Sequence, residues 1–283
     1  METRSTCVVA GVALALALVS TNTAAQSAFR LRCHPFKSLE RKHPVDTSCR
    51  AARGKSQAGT GQAAQNSAKN NFCATGPVVD LTHQQFLDLQ RVAETLPDYA
   101  SWNGNHLPSD RDLFTSLPGQ FQEGMLVRYT GFVYELHAAD TGSGESVNCK
   151  ATGAEANDIH IAFVARLTDD ECSSITAEMS PHFRPTEWRA SKMARWVAAN
   201  RKTKAGLVAN PQGKRLSRIT GQLMFDAAHK PCRNGKRNPG DPARASLFEV
   251  HPIYEMEVCK TIGPTCADSD WQPLDEFLKA VAP

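Results

Sequence analysis

Residues 125–136 read MLVRYTGFVYEL, a run in which β-branched and aromatic side chains recur at the period of two expected of a half-buried strand. Gly131 stands in its middle, where a strongly coiled strand or a bulge is expected. Working outward, the same period returns at 158–166 (DIHIAFVAR), beyond a polar, Gly-rich turn at 140–150, and again at 174–179, beyond a turn at Asp169 and Asp170. Strands joined this closely predict an antiparallel meander. Residues 185–202 (PTEWRASKMARWVAANRK) change to helical spacing, with Ala190, Met193, Ala194 and Val197 along one side. Strand character then resumes at 215–226 (RLSRITGQLMFD) and 246–259 (SLFEVHPIYEMEVC).

Three strands, a helix and two strands is the element order of an OB-fold, a five-stranded Greek-key barrel with a helix between strands three and four. The expected class is therefore mainly β with helices (α+β), the alternative being a small mixed α+β sheet. The barrel should span 124–260. Before it, 80–123 reads as a helical extension: Thr82 and Gln85 form a capping box, and Phe86, Leu89, Val92, Ala93 and Leu96 follow at helical spacing until Pro97. After it, 261–283 closes on a short helix carrying Leu274, Phe277, Leu278 and Val281.

The start of the chain reads differently. Arg4 precedes an apolar or small-residue run at 7–20, and Thr23, Ala24 and Ala25 offer a cleavage site, so 1–25 is expected to be a secretory signal peptide. The run is about 14 residues, short of the roughly 20 that a membrane span needs, so no membrane insertion is expected after cleavage. Residues 26–79 read as a Cys-containing arm and a low-complexity linker. Within them, 50–71 has no large apolar side chain, and such a stretch is expected to be a mobile linker or a long loop. Of nine cysteines, Cys7 lies inside the signal, leaving eight, for which disulfides in a secreted or periplasmic protein are the natural reading. Spacing alone cannot choose among the possible pairings; Cys149 with Cys172 and Cys259 with Cys266 are preferred. No pair stands at C-x-x-C spacing, which disfavours a thiolate zinc site.

Strand alternation sorts the polar side chains. If Ile159, Ile161 and Phe163, then Ile175, Ala177 and Met179, then Phe248 and Val250 face the core, Asp158, His160, Glu178, Glu249 and His251 face outward. In barrel order 1-2-3-5-4 the second, third and fifth strands are neighbours. His160, Glu178, Glu249 and His251 should then share one outer patch, a ligand set that suits a divalent transition metal or serves as general acid and base. Cross-strand pairing of surface His and Glu is the plainer explanation. Pro252 suggests a bulge that re-aims His251, and Asp226 with His229 forms a second polar pair. In the loop between the first two strands, Gly144, Glu145 and Asn148 are candidate ligand-binding residues.

Formal charge is only +3, but between Arg184 and Arg218 ten basic residues stand against Glu187 alone, interleaved with Trp188 and Trp196. Such a stripe suits a polyanion, single-stranded nucleic acid or an acidic oligosaccharide, with Arg195 and Lys202 as candidate contacts. Residues 230–244 add further Arg and Lys. The segments GESVNC (144–149), NDIHIAFV (157–164), EMSPHFRP (178–185), GQLMFDAAH (221–229) and SLFEVHPIYEMEV (246–258) resemble those of exported bacterial OB-fold-like proteins of unassigned activity. That resemblance implies a barrel with a binding face and supplies no catalytic residue. Two readings follow: an exported, disulfide-stabilised binding module for a polyanion, or a metal-dependent, phosphodiesterase-like hydrolase built on the His/Glu cluster.

Overall fold

The computed structural model describes residues 36, 43–138, 142–190, 192–193, 196 and 214–281. The expected signal peptide therefore lies outside the described residues. Five strands, β2 (Leu126–Ala138), β3 (Ile159–Val164), β4 (Ile175–Met179), β5 (Leu216–Phe225) and β6 (Phe248–Cys259), pair in the cyclic order β2-β3-β4-β6-β5. A further pairing of β2 with β5 closes the barrel. Among these five strands every pairing is antiparallel except β4 with β6, which run parallel through Ala177 and Val250. This is the neighbour order expected from the sequence, and it is compatible with an OB-fold-like barrel.

Strand β2 is long because it serves two neighbours, pairing with β5 from Leu126 to Phe132 and with β3 from Phe132 to Ala138. Of the coiled strand or bulge expected at Gly131, the bulge is not there: pairing with β5 runs unbroken through Gly131 and Ser217, and the irregularity falls between Val133 and Glu135. A side chain at Gly131 would meet the Val164 carbonyl at 2.9 Å, so close approach of β3 accounts for this glycine. The bulge expected near Pro252 is present, since Leu223 pairs with Val250 and Gly221 with Ile253, leaving His251 and Pro252 opposite Gln222 alone.

Inward-facing Ile159, Ile161, Phe163, Ile175, Ala177, Met179, Phe248 and Val250 join one core cluster, as their alternation requires. Helix α3 (His83–Ala93), capped by the Thr82–Gln85 box, adds Phe86, Leu89 and Ala93 to it. Helix α4 (Leu274–Val281), entered from the short strand β7 (Trp271–Pro273) beside β6, adds Leu274, Phe277 and Leu278. Strand β1 (Val79–Asp80) pairs parallel with β2. Of the helix expected over 185–202, a short 3₁₀ turn, Thr186–Trp188, and helical positions at 190, 192–193 and 196 are described, and the rest lies outside the described residues. Trp188, Met193 and Trp196 are buried in the main core.

The linker expected over 50–71 requires correction. Helix α2 (Gly61–Lys69) forms there, capped by Thr60, and α1 (Pro44–Ser48) precedes it. Its composition misled because the helix is held by polar rather than apolar burial. Asn66 Nδ2 donates to the Arg53 carbonyl at 2.9 Å, Asn70 Nδ2 to the Ala52 carbonyl at 2.9 Å, and Gln222 Nε2 to the Ala68 carbonyl at 2.8 Å. The expected Cys149–Cys172 bridge is likewise replaced, because the arm folds back over the barrel. Disulfides join Cys49 to Cys149, Cys172 to Cys232 and, as expected, Cys259 to Cys266, and Cys73 is disulfide-bonded as well. These bonds point to an oxidising, extracellular-type environment. Among the described residues no helix is long and apolar enough to cross a membrane.

A Cβ at Gly221 would lie 2.4 Å from the Pro252 carbonyl oxygen and 2.6 Å from Val250 Cγ1. Gly221→Ala should therefore lower stability by about 1–3 kcal/mol through overpacking, read as a shifted midpoint in urea unfolding. An unchanged midpoint would show that the bulge tolerates the added methyl.

Candidate functional site

Strand register brings the expected side chains together. His160 on β3 pairs directly with Glu178 on β4, and the parallel contact at Val250 sets Glu249 and His251 beside them. His251 Nδ1 lies 2.6 Å from Glu178 Oε2, His160 Nε2 lies 3.4 Å from Glu178 Oε1, and Glu249 Oε1 is 3.7 Å from His251 Nδ1. The expected exposure is corrected: Glu178, Glu249 and His251 are fully buried, and the His160 side chain is 19 % exposed. The folded-back arm covers this outer face of the barrel, and α2 delivers Lys69 into it.

Lys69 Nζ stands 3.0 Å from Glu178 Oε2 and 3.8 Å from Glu249 Oε1. Arg244, buried at the end of the basic loop, reaches Glu249 Oε2 at 3.0 Å and Asp226 Oδ2 at 3.3 Å. Asp226 also accepts from Gln65 Nε2 at 2.8 Å, and His229 lies 3.7 Å away, so the second polar pair joins the edge of the same network. Asp158, one residue before β3, sends Oδ2 to within 3.9 Å of His251 Nε2.

The loop residues act internally. Gly144 makes its turn at φ 71°, packed against the Ala151 carbonyl. Glu145 Oε2 accepts from the Asp158 amide at 3.0 Å, while Oε1 lies 3.6 Å from His160 Nε2. Asn148, fully buried, donates from Nδ2 to Glu145 and to Asp158 at 3.2 and 3.3 Å. The three thus shape the cluster rather than an open groove. Arg195 and Lys202 lie outside the described residues. Stacking by Trp188 and Trp196 is excluded by their burial, and Arg184 is spent on the carbonyls of Asn157, Ala154 and Glu155.

Burial opposes the charged imidazole of His160, but Glu178 and Glu145 outweigh it and raise the pKa to about 9. Burial, with Glu145 beside it, pushes Asp158 up to about 7, and burial with Glu178 does the same to Glu249, also to about 7. For Glu178 burial is outweighed by His160, Lys69 and His251, which hold the carboxyl well below the usual range. Lys69 is held well above its ordinary value, the carboxylates of Glu178 and Glu249 overcoming its burial. Asp158 and Glu249 thus hold their protons more tightly than free carboxyls do.

Two overlapping sets of donors, Glu145, Asp158 and His160, and Asp158, Glu178 and His251, each place their atoms within 4.8 Å of one another. With Nδ1–H given to Glu178, a neutral His251 turns the lone pair of Nε2 toward Asp158. On the barrel's surface a small cavity of about 30 Å³ borders His160, lined also by Glu135, His137, Thr176 and Arg244, with room for a water or two. Lys69 has no signal in its polar, small-residue stretch, and Arg244, which the sequence places with the basic loop as part of a polyanion surface, is instead buried against Asp226 and Glu249. Thr60 three residues ahead of Ala63, as an N-cap, was the available signal for α2. No family model, no curated protein and no solved structure matches the chain.

Removing Lys69 takes one cation from the buried pair, leaving Glu178 to the imidazoles of His251 and His160 and Glu249 to Arg244. Lys69→Met, measured in the presence of a chelator, should lose about 3–5 kcal/mol of unfolding free energy, and a loss below 1 kcal/mol would show that the ion pairs do not hold α2 in place.

Proposed function

We propose that the cluster is a divalent transition-metal centre and that the chain is an exported, metal-dependent hydrolase built on an OB-fold. One observation carries the reading. Asp158 Oδ2, His160 Nε2, Glu178 Oε1 and His251 Nε2 are buried and without hydrogen-bond partners, yet Glu178 Oε1 lies 3.4 Å from His160 Nε2 and Asp158 Oδ2 lies 3.9 Å from His251 Nε2. Each unmet group should cost about 1–3 kcal/mol. The separations exceed the 2.7–3.2 Å of a good hydrogen bond. The 3.4 Å pair suits atoms sharing an ion, because bonds of about 2.0–2.2 Å put tetrahedral ligands about 3.4 Å apart, and the 3.9 Å pair falls inside the roughly 4.2 Å that two such bonds span.

Mixed imidazole and carboxylate donors suit zinc, manganese or iron. Such an ion lowers the pKa of a bound water toward neutrality, which supplies a hydroxide for ester hydrolysis. The cavity beside His160 is where water and the reacting group of a substrate would enter. Arg233, Lys236 and Arg237 are exposed on the loop that ends at Arg244, and they favour an anionic substrate. A phosphodiester is the class we infer, and this is the form in which polyanion recognition survives. The resemblance to exported bacterial proteins and the disulfides support export.

Two measurements test this. Protein purified without chelator should contain zinc, manganese or iron by elemental analysis, and His251→Ala should reduce that content at least tenfold. Metal-loaded protein should hydrolyse bis(p-nitrophenyl) phosphate, lose the activity in EDTA and regain it on re-addition of the metal. A metal-free protein that takes up none of these ions would overturn the metal centre, whereas metal uptake without turnover would overturn the hydrolase.

A further inference from the structure

The centre proposed above is closed to anything larger than water. Asp158, Glu178, Glu249 and His251 are each 1 % exposed or less, and the cavity of about 30 Å³ beside His160 holds a water or two. A pocket for a diester needs roughly 300 Å³ or more. The segment 53–71 is what covers the face: Lys69 meets Glu178 and Glu249, Gln65 bonds Asp226 and the Ala227 amide, and Asn71 and the Ala68 carbonyl bond Gln222. Its attachment is polar throughout. Helices α3 and α4 set Phe86, Leu89, Leu274 and Phe277 into the main core, whereas among the described residues no side chain from 53 to 71 joins an apolar cluster. Water can replace such polar bonds, so their net worth is small, and segments with few buried apolar contacts are those that open without global unfolding.

Resting on the metal-hydrolase reading, we propose that 53–71 is a strap that lifts from the centre to admit metal and substrate and closes again by returning Lys69 to the carboxylates. Both ends stay tied while the middle leaves, because the Cys49–Cys149 disulfide holds one side and β1, paired to β2, holds the other. Gly59 and Gly76 bracket α2 at φ 79° and 108°, and among the described residues no atom stands within 4 Å of where a Cβ would be. Glycine in open surroundings turns at the least steric cost, which suits a hinge. On the side of α2 away from Gln65 and Lys69, an open hollow of about 280 Å³ bordered by Thr60, Ala63, Ser67 and Ser109 gives the helix room to shift. In the closed state the Lys69 ammonium compensates Glu178 and Glu249. Lifting the strap withdraws that charge, and the two carboxylates then face water or an entering cation.

Amide hydrogen exchange on the metal-free full chain tests the strap without relying on metal or turnover. The amides of 64–70 should exchange about 100-fold faster than those of Ile161, Ala177 and Leu223 in the barrel. Gly61→Ala supplies the perturbation: alanine favours the helix, yet its methyl would lie 1.9 Å from the Leu107 carbonyl oxygen, so α2 keeps its fold and loses its seat. The variant should speed exchange at 64–70 about tenfold and leave the barrel amides unchanged. Exchange of α2 in step with the barrel, in both proteins, would overturn the strap and leave the hydrolase standing. With metal loaded, Gly61→Ala should also raise turnover of bis(p-nitrophenyl) phosphate at low substrate, and faster exchange with unchanged turnover would overturn the gating role. A wild type that opens locally but never hydrolyses the diester loses the gating role through failure of the hydrolase reading, not of the strap. Should Gly61→Ala fail to fold, Tyr254→Phe, which removes the bonds to the Asn71 carbonyl and the Ala74 amide, makes the same comparison.

Discussion

Glu178 is the group on which the rest of the architecture turns. Its carboxylate sits on an outer strand face, yet it has no contact with solvent. A buried carboxylate is tolerated only where its oxygens are paired. Oε2 is met by Lys69 and His251, and Oε1 faces His160. Each partner comes from a different element: α2, β6 and β3. The requirement to neutralise one buried charge therefore ties the arm before the barrel to the strands that make it. Apolar burial organises the barrel interior, and this second, polar core organises what lies outside it.

The covering arm makes sense in those terms. Helix α2 has almost nothing apolar to bury, and its amide side chains and carbonyls bond instead to the loop at 142–153 and to β5. Asn66 bonds Ser146, Asn70 bonds the Val147 carbonyl, and Gln65 bonds Asp226. The Cys49–Cys149 disulfide closes a loop of 100 residues between the arm and that same loop, which restricts the unfolded chain and favours the covered state. Tyr254 reaches the Asn71 carbonyl at 2.9 Å and His182 meets Asp46 at 2.7 Å, so the arm is fastened at both ends.

What the sequence could reveal followed from periodicity. Alternation in a strand is strict, so assigning Ile159, Ile161 and Phe163 to the core also fixed Asp158 and His160 on the other face, and the order of strands then brought Glu178, Glu249 and His251 beside them. The extent of burial was not legible, because it depends on a distant segment whose composition resembles a linker. Lys69 carries no local signal of its role: its partners lie 109 and more residues away, and only the folded chain aligns them. Arg244 was hidden for a related reason, since a basic residue in a basic loop reads as solvated until its neighbours Asp226 and Glu249 are in place. The disulfides follow the same logic, with the short-range Cys259–Cys266 legible and the pairs made by chain return not.

Rigidity explains why the donors stay apart. Flexible polar groups deprived of water close up to hydrogen-bond distance, and a protonated Asp158 could in principle approach His251. Here the side chains are short or pinned: Asn148 holds Glu145 and Asp158, Glu178 holds the His251 ring, and the strand ladder fixes the spacing of His160 from Glu178. In the metal centre proposed above, these supporting contacts would set ligand orientation before an ion arrives.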